Sequence, residues 1–198
     1  AVAFDGSNYL VTWLDTDGAC CGQGSIYGTR VSPDGTVLDP GGILIADGAD
    51  WLFAVASSGQ NSLVTWVQSG SVRGMWVAPD GTLLDGTAQS GGFLIDGTAA
   101  YQKRHLAASY DGSEYLVAWA AGAYASNPGP PVGIFAARVS PAGSVLNGSA
   151  ISVSGPPVDF EQFHYPAIAS GGGASLGNWL ALGEVKSQLG VTVWSFAE

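Results

Sequence analysis

The side chains that could do chemistry in this sequence lie mainly in polar stretches between apolar segments. Both histidines are among them, His105 in "DGTAAYQKRHL" and His164 in "SGPPVDFEQFHYP". A histidine combined with an acid and a serine could form a hydrolytic triad, and Asp159 with Glu161 could form a glycosidase pair. The sequence indicates no apolar pocket that would raise the pKa of either carboxyl group. Solvated loops are therefore the favoured interpretation, and a secreted hydrolase is the less favoured one.

Two further pairs could form a covalent link or hold a metal. Cys20 and Cys21 are the two cysteines of the chain, and adjacent Cα atoms lie about 3.8 Å apart, closer than in most disulfides. A strained vicinal disulfide is favoured in an oxidising compartment, while free thiols, bonds to another chain and a soft-metal site stay open. Asp15 and Asp17 in "DTDG" are typical of the start of a calcium loop but lack its later ligands. A polar turn is favoured there over calcium, and no other cofactor is expected.

Composition excludes several classes of partner. Of 198 residues 46% are apolar and only 11% charged, and the net charge is −10. Nucleic acids and anionic lipid surfaces both require a basic patch, which six Lys and Arg do not supply. No run of 18 apolar residues could insert into a membrane. Scarce Lys with abundant Ser, Thr, Gly and Trp favours a secreted or cell-surface protein.

The polar stretches are positioned by a repeat. Four copies of one segment begin at intervals of 53, 53 and 60 residues, and each ends in tryptophan: "AVAFDGSNYLVTW" (Ala1–Trp13), "AVASSGQNSLVTW" (Ala54–Trp66), "AASYDGSEYLVAW" (Ala107–Trp119) and "AIASGGGASLGNW" (Ala167–Trp179). A second segment follows in the first three copies: "IYGTRVSPDGTVLD", "VRGMWVAPDGTLLD" and "IFAARVSPAGSVLN". A short apolar run then closes each unit.

Each unit reads as four short antiparallel strands. "YLVTW" alternates as a strand does, with Tyr9, Val11 and Trp13 on one side. Asp-Gly and Pro-Asp-Gly supply turns between strands, and no helical periodicity occurs. The sequence therefore predicts an all-β protein, a β-propeller with three complete four-stranded blades and one incomplete blade, at about 1–53, 54–106, 107–163 and 164–198 of a single domain. A β-sandwich and a β-solenoid are the alternatives.

These units resemble the repeats of bacterial secreted propeller proteins, which read P-x-V-A-x-D-G-x-x-Y-L-V-x-W followed by I-Y-G-x-R-V-x-P-D-G-x-x-L-D. The resemblance covers essentially the whole chain and implies an architecture, not an activity. More loosely, the units are similar to tachylectin-type and integrin-type propellers, which implies binding to sugars or proteins. The fourth unit departs most from the pattern, with "SGGGASLGNWLALGE" in place of the expected strand pair.

Variation concentrates at one end of the predicted blades, which we call the variable end. The turns between strands one and two, and between three and four, are short and repetitive, whereas the other connections differ in length and composition. Loops on a rigid scaffold commonly carry binding sites, although unconstrained solvated loops are an equal alternative. The expected ligand-binding residues are Trp51, Tyr101, Lys103, Arg104, His105, Asp159, Phe163, His164 and Tyr165. The repeating tryptophans are expected to pack between blades.

The expected function is that of an extracellular module that binds a glycan or a protein through the variable end. The alternative is a structural subunit, completed by neighbouring chains in an assembly or filament. The fourth unit has three candidate strands, the last in "GVTVWSFAE". We expect another chain, or further sequence, to pair with or cover its edge, because an apolar edge strand with little charge invites strand addition.

Overall fold

A computed structural model describes residues 1–16, 23–98, 102–122, 133–153, 166–170, 179–182 and 194–195. Strands and turns make up this part of the chain, apart from one turn of 3-10 helix at Ala88–Ser90. None of the described segments forms a helix that is long and apolar enough to cross a membrane. The chain divides into two compact units, Ala1–Ile95 and Asp96–Glu198.

The first unit contains two antiparallel sheets, each a simple meander with neighbouring strands joined in chain order. The first sheet consists of β1 (Val2–Phe4), β2 (Tyr9–Asp15), β3 (Gln23–Val31) and β4 (Ile43–Asp50). The second sheet consists of β5 (Phe53–Ser57), β6 (Ser62–Gln68), β7 (Ser71–Val77) and β8 (Phe93–Asp96), the last of which ends where the second unit begins.

The second unit also contains two antiparallel meanders. The third sheet consists of β9 (Gln102–Tyr110), β10 (Tyr115–Gly122), β11 (Gly133–Val139) and β12 (Ile151–Ser152). The fourth sheet has three strands within the described residues, β13 (Ala167–Ser170), β14 (Trp179–Leu182) and β15 (Trp194–Ser195). Three four-stranded sheets and one three-stranded sheet are the blade pattern that the repeat predicted.

The repeated turn sequences form the same turns in successive blades. In "SPDG" the Ser32 N–H donates to the Thr36 carbonyl, and the Gly35 N–H donates to the Ser32 carbonyl. Gly35 has a φ of 89°, a region that glycine adopts without strain. The same two bonds recur in the next two blades. In blade two the Ala78 N–H donates to the Thr82 carbonyl and the Gly81 N–H to the Ala78 carbonyl. In blade three the Ser140 N–H donates to the Ser144 carbonyl and the Gly143 N–H to the Ser140 carbonyl. The prediction of a Pro-Asp-Gly turn is confirmed.

Alternation along each strand gives every blade two unlike faces. We call the face that carries Val11 and Trp13 in the first blade its leading face, and the face that carries Leu10 and Thr12 its trailing face. In the first unit, the trailing face of blade one packs against the leading face of blade two. Their shared core is Leu10, Ile26, Ile45, Ala46, Ala49, Val64, Trp66, Met75 and Val77. The same arrangement recurs in the second unit, where Ile168 of blade four packs on the trailing face of blade three.

Two strands extend further than the repeat predicts. β4 continues through Asp50, and β9 starts at Gln102, so segments expected to be loops between blades are paired backbone. Each extension includes a residue with positive φ, Gly48 at 69° and His105 at 50°. In β9 the register shifts opposite Trp119, which leaves two residues facing one, the signature of a β-bulge. The bulge lets pairing continue where the hydrophobic alternation stops.

Candidate functional site

Trp51 lies at the variable end of the first blade, directly after β4. Its side chain is 65% exposed, the largest exposure among the bulky apolar residues of the described chain. The connection to β5 consists of Trp51 and Leu52 only, since β4 ends at Asp50 and β5 begins at Phe53. A short link between two paired strands holds this indole at a defined place, as a ligand-stacking platform requires.

Polar groups of both blades in the first unit meet at Asp47, which lies four residues before Trp51 in the chain. The Ser25 hydroxyl, on β3, donates to an Asp47 carboxylate oxygen at 2.9 Å. The Gln68 amide nitrogen, at the end of β6, donates to the Asp47 carbonyl at 3.0 Å, and the Trp66 indole N–H donates to the Gln68 amide oxygen at 3.4 Å. Asp47, on β4, is therefore linked by hydrogen bonds to both β3 and β6.

Asp50 is the second acid of this site. It pairs with Gln23 across β3 and β4. Burial raises the pKa of the Asp50 carboxyl, and a hydrogen bond from the Gln23 side chain partly opposes that rise. A half-buried carboxyl next to an exposed indole is suited to hydrogen bonding with an uncharged polar ligand, because burial disfavours the ionised form.

The described residues contain no ligand cluster that supports the calcium site predicted at Asp15 and Asp17. Asp15 closes β2 and pairs with Ser25 of β3, whereas Asp17 lies outside the described residues. No group of three or more His, Cys, Asp or Glu side chains in the described part of the chain could hold a metal ion. Cys20 and Cys21 also lie outside that part, and their disulfide stays a prediction.

Lys103 does not lie on an exposed loop as expected. It belongs to β9, its side chain is buried, and its ammonium forms an ion pair with Asp96 at 2.7 Å. The same ammonium donates to the Thr98 carbonyl. This lysine thus ties the end of β8 to β9 inside the second unit. The sequence offered one signal for this ion pair, since Asp96 lies only seven residues before Lys103.

Arg104 and His105 also belong to β9, not to the expected loop. The Arg104 guanidinium is exposed and donates to the Gln102 side-chain oxygen at 2.7 Å. His105 occupies the bulge, and burial, with a smaller contribution from the Arg104 charge, lowers the pKa of its imidazole. The bulge therefore takes His105 out of the regular strand alternation.

The remaining predicted site residues lie outside the described residues: Tyr101, Asp159, Phe163, His164 and Tyr165. The sequence also holds a Gly-x-Ser-x-Gly pattern, "GASLG" around Ser175, which lies outside the described residues. In α/β-hydrolases that pattern forms a strand-to-helix turn around a nucleophilic serine. Here the flanking strands β13 and β14 pair antiparallel. That context differs from a nucleophile elbow.

The repeating tryptophans do not share one environment. Trp66 and Trp119 are buried, as expected for packing between blades, but Trp13 is 39% exposed and stacks on Tyr27 with ring centroids 6.1 Å apart. Beside them Phe4 and Tyr9 form a second exposed aromatic pair, with centroids 4.9 Å apart. Sequence reasoning missed this surface, because each of its residues aligns with a buried counterpart or with the core side of a strand.

Comparison with known proteins gives the class of fold. No protein-family model matches the sequence, and no curated protein does. Among solved structures, the chain is similar to the subtype N11 neuraminidase-like protein of A/flat-faced bat/Peru/033/2010 (H18N11), with a TM-score of 0.51 and 12% identity. The match covers 93% of this chain but 44% of that structure, so the chain spans less than half of its neighbour's length.

At that identity the likeness concerns the fold alone. Together with the antiparallel meanders and the repeated turns, it shows an all-β chain built from the blades of a β-propeller. The predicted fold class is confirmed.

Proposed function

We propose that this chain is an extracellular binding module that recognises an uncharged glycan at the variable end of its first blade. The observation that carries the proposal is the exposed Trp51 in the two-residue link between β4 and β5, with Asp47 and Asp50 in the strand before it. Sugars present an apolar ring face and a fringe of hydroxyl groups. An indole with nearby carboxyl and amide groups complements both features.

Charge supports an uncharged ligand over an acidic one. The net charge is −10, and two of the groups nearest Trp51 in sequence are carboxyls. A polyanionic ligand would approach against this field, particularly at low salt. A protein ligand is the second candidate, because an exposed indole with polar neighbours in sequence can also contact a polar loop.

We further propose that the protein acts outside the cell. Scarce basic residues and a high Gly, Ser and Thr content suit a secreted or cell-surface protein. The repeat consensus further suggests kinship with bacterial secreted propeller proteins. We also propose that another chain, or further sequence, pairs with the edge of the fourth sheet, in which β15 is the outer strand of the described residues.

The test uses an array of immobilised neutral and sialylated oligosaccharides, followed by calorimetry with the best neutral oligosaccharide. We expect Trp51→Ala to weaken that binding about 30-fold, the effect of losing an aromatic anchor worth about 2 kcal/mol. Trp13→Ala is the matched control, because it removes another exposed indole and should leave affinity unchanged. Equal affinity of wild type and Trp51→Ala contradicts the site, and binding to sialylated sugars alone contradicts the ligand class.

A further inference from the structure

One acidic position of the repeat is occupied by an amide in blade three. In blade one this position is Asp39, whose carboxylate accepts a hydrogen bond from the Arg30 backbone N–H at 2.9 Å. Blade two also has an acid there, Asp85. Blade three has Asn147, whose amide oxygen accepts from the Arg138 backbone N–H at 2.7 Å. The third copy therefore keeps the backbone bond and loses the charge.

The arginine at the equivalent strand position has a different acidic partner in the two blades. In blade one the Arg30 guanidinium donates to both carboxylate oxygens of Asp39, at 2.8 Å each. In blade three the Arg138 guanidinium donates to both carboxylate oxygens of Glu114, in the turn between β9 and β10. Blade one has Asn8 at the position of Glu114. Acid and amide have thus exchanged places between the two copies, and each arginine pairs with the acid of its own blade.

Asn147 is followed by a glycine that the local backbone does not require. A Cβ on Gly148 would meet no atom within 4 Å, and the residue is not among the glycines with positive φ. Gly148 and Ser149 are exposed, and no described residue accepts a hydrogen bond from the Gly148 N–H. The other four asparagines of the sequence precede tyrosine, serine, proline and tryptophan. Asn147 therefore has an accessible backbone nitrogen directly after its side-chain amide.

We propose that Asn147 and Gly148 form a modification site at which Asn147 deamidates spontaneously in the folded protein, and that the aspartate product replaces Glu114 as the partner of Arg138. Hydroxide removes the proton of the Gly148 N–H, and this nitrogen attacks the side-chain amide carbon of Asn147. A C–N bond forms and closes a succinimide ring, while the bond to Nδ2 breaks and the leaving nitrogen takes a proton from water to depart as ammonia. Water then opens the ring at either carbonyl, which yields aspartate or isoaspartate.

Two hydrogen bonds of Asn147 support this chemistry. The Arg138 backbone N–H donates to the amide oxygen, so it polarises the carbonyl and stabilises the oxyanion that the attack creates. The Asn147 Nδ2 donates to the Ser149 carbonyl, which ties the amide to the segment that contains the nucleophile. Blade one shows the end state, because Asp39 keeps the same backbone bond and holds the arginine side chain as well. The site does not depend on the proposed glycan site.

Peptide mapping by mass spectrometry tests the reaction. The folded protein is incubated at neutral and at mildly alkaline pH and digested at acid pH, which stops the reaction during the digest. We expect the Asn147 peptide to lose its amide and gain isoaspartate, faster at the higher pH, while Asn8 and Asn61 stay intact over the same period. Gly148→Ala fits the open space and should slow the loss about 10-fold, a barrier about 1.4 kcal/mol higher, because its methyl group hinders the nitrogen.

A double-mutant cycle tests the exchange of partner. In the wild type Glu114→Gln removes the acid that binds Arg138, so the melting temperature should fall. In the Asn147→Asp background, which reproduces the aspartate product, the same substitution should lower it less, because the introduced acid accepts the arginine instead. Asn147→Ser is the matched control, since it adds no charge and should leave the effect of Glu114→Gln unchanged. Aged protein that has gained one negative charge, purified by anion exchange, replaces Asn147→Asp if that variant fails to fold.

Three results would overturn the proposal. The first is an intact Asn147 in the folded protein under conditions in which the same chain, unfolded in urea, deamidates there. The second is a Gly148→Ala variant that deamidates as fast as the wild type, which excludes the Gly148 nitrogen as the nucleophile. The third is an equal effect of Glu114→Gln in the wild type and in Asn147→Asp, which excludes the exchange of partner.

Discussion

Trp13 and Trp66 occupy the same position of the repeat, in the nearly identical segments "NYLVTW" and "NSLVTW". Trp66 is completely buried, and Trp13 is 39% exposed. Both side chains project from the second strand of a four-stranded blade toward the leading face. The difference is the presence of a packed neighbour: blade one covers Trp66, whereas no described residue of the first unit covers Trp13 to the same extent.

This comparison shows that burial in a repeat protein belongs to the interface between blades and not to the blade itself. Each blade supplies its own hydrogen bonds, as the recurring turns show, but it needs a second blade to bury either face. The same position of the repeat is consequently half-exposed in blade one, at Trp13, and core in blade two, at Trp66.

The largest expected effect is the difference between two tryptophan truncations. Trp66→Ala should destabilise the fold by about 3 to 5 kcal/mol, because it opens a large cavity in the core between blades. Trp13→Ala should cost about 1 kcal/mol, the scale of a lost aromatic stack on the surface. Urea denaturation of both variants checks the ratio. Equal losses would mean that Trp13 is as well packed as Trp66.

Two glycines that cover these tryptophans sharpen the same comparison. A Cβ on Gly92 would lie 2.1 Å from the Gly74 carbonyl oxygen and 2.8 Å from Trp66, so the backbone must move. A Cβ on the equivalent Gly42 would lie 3.3 Å from Tyr27 and 3.5 Å from Trp13. Both residues have positive φ, which alone costs about 1 to 2 kcal/mol for alanine.

We therefore expect Gly42→Ala to lower stability by about 1 to 2 kcal/mol and Gly92→Ala to lower it further. Thermal unfolding of the two variants measures the difference. A Gly92→Ala variant no less stable than Gly42→Ala would show that the backbone of blade two accommodates the added Cβ as easily as that of blade one.

The fold was predictable from the sequence because its signals are local. The alternation in "YLVTW" and the Pro-Asp-Gly turns act within a few residues, and both appear as expected. The bulge at His105 was not predictable, since it depends on how β10 pairs with β9 at Trp119. The exposure of Trp13 was not predictable either, because it depends on a neighbouring blade.

The candidate site was predictable only in part. Trp51 stood out as a tryptophan outside the repeat, and the structure exposes it. Lys103 gave the same signal of a polar residue between blades, yet it is buried in an ion pair with Asp96. The sequence alone cannot distinguish an exposed residue such as Trp51 from a buried one such as Lys103, because burial depends on which strands pair around each residue.

Two carboxyl groups of blade one, those of Asp39 and Asp50, have pKa values that are shifted in opposite directions. The pKa of Asp39 is lowered, chiefly by its side-chain hydrogen bonds with Arg30, which also donates to the carbonyl of Pro79, in the turn after β7, at 2.9 Å. Asp39→Asn should therefore cost about 1 to 2 kcal/mol at neutral pH. Since a depressed pKa stabilises above the ordinary aspartate value and loses its effect below, the difference from wild type should shrink as pH falls below about 4. A difference independent of pH in urea titrations would exclude this ion pair as the cause.

The smallest expected effect has the opposite sign. Burial raises the pKa of Asp50, so its ionised form is disfavoured in the folded state. Asp50→Asn should raise the melting temperature slightly at pH 7. The gain should vanish below about pH 3.9, where the carboxyl is protonated in folded and unfolded chains alike. A stabilisation that persists at acid pH would assign the effect to packing and not to charge.

The central claim is that blade one exposes the face that blade two buries. Oxidative footprinting of the tryptophans in dilute protein, resolved residue by residue by mass spectrometry, tests it most directly. Trp13 and Trp51 should be modified readily, while Trp66 and Trp119 stay protected. Protection of Trp13 equal to that of Trp66 in dilute protein would contradict the account.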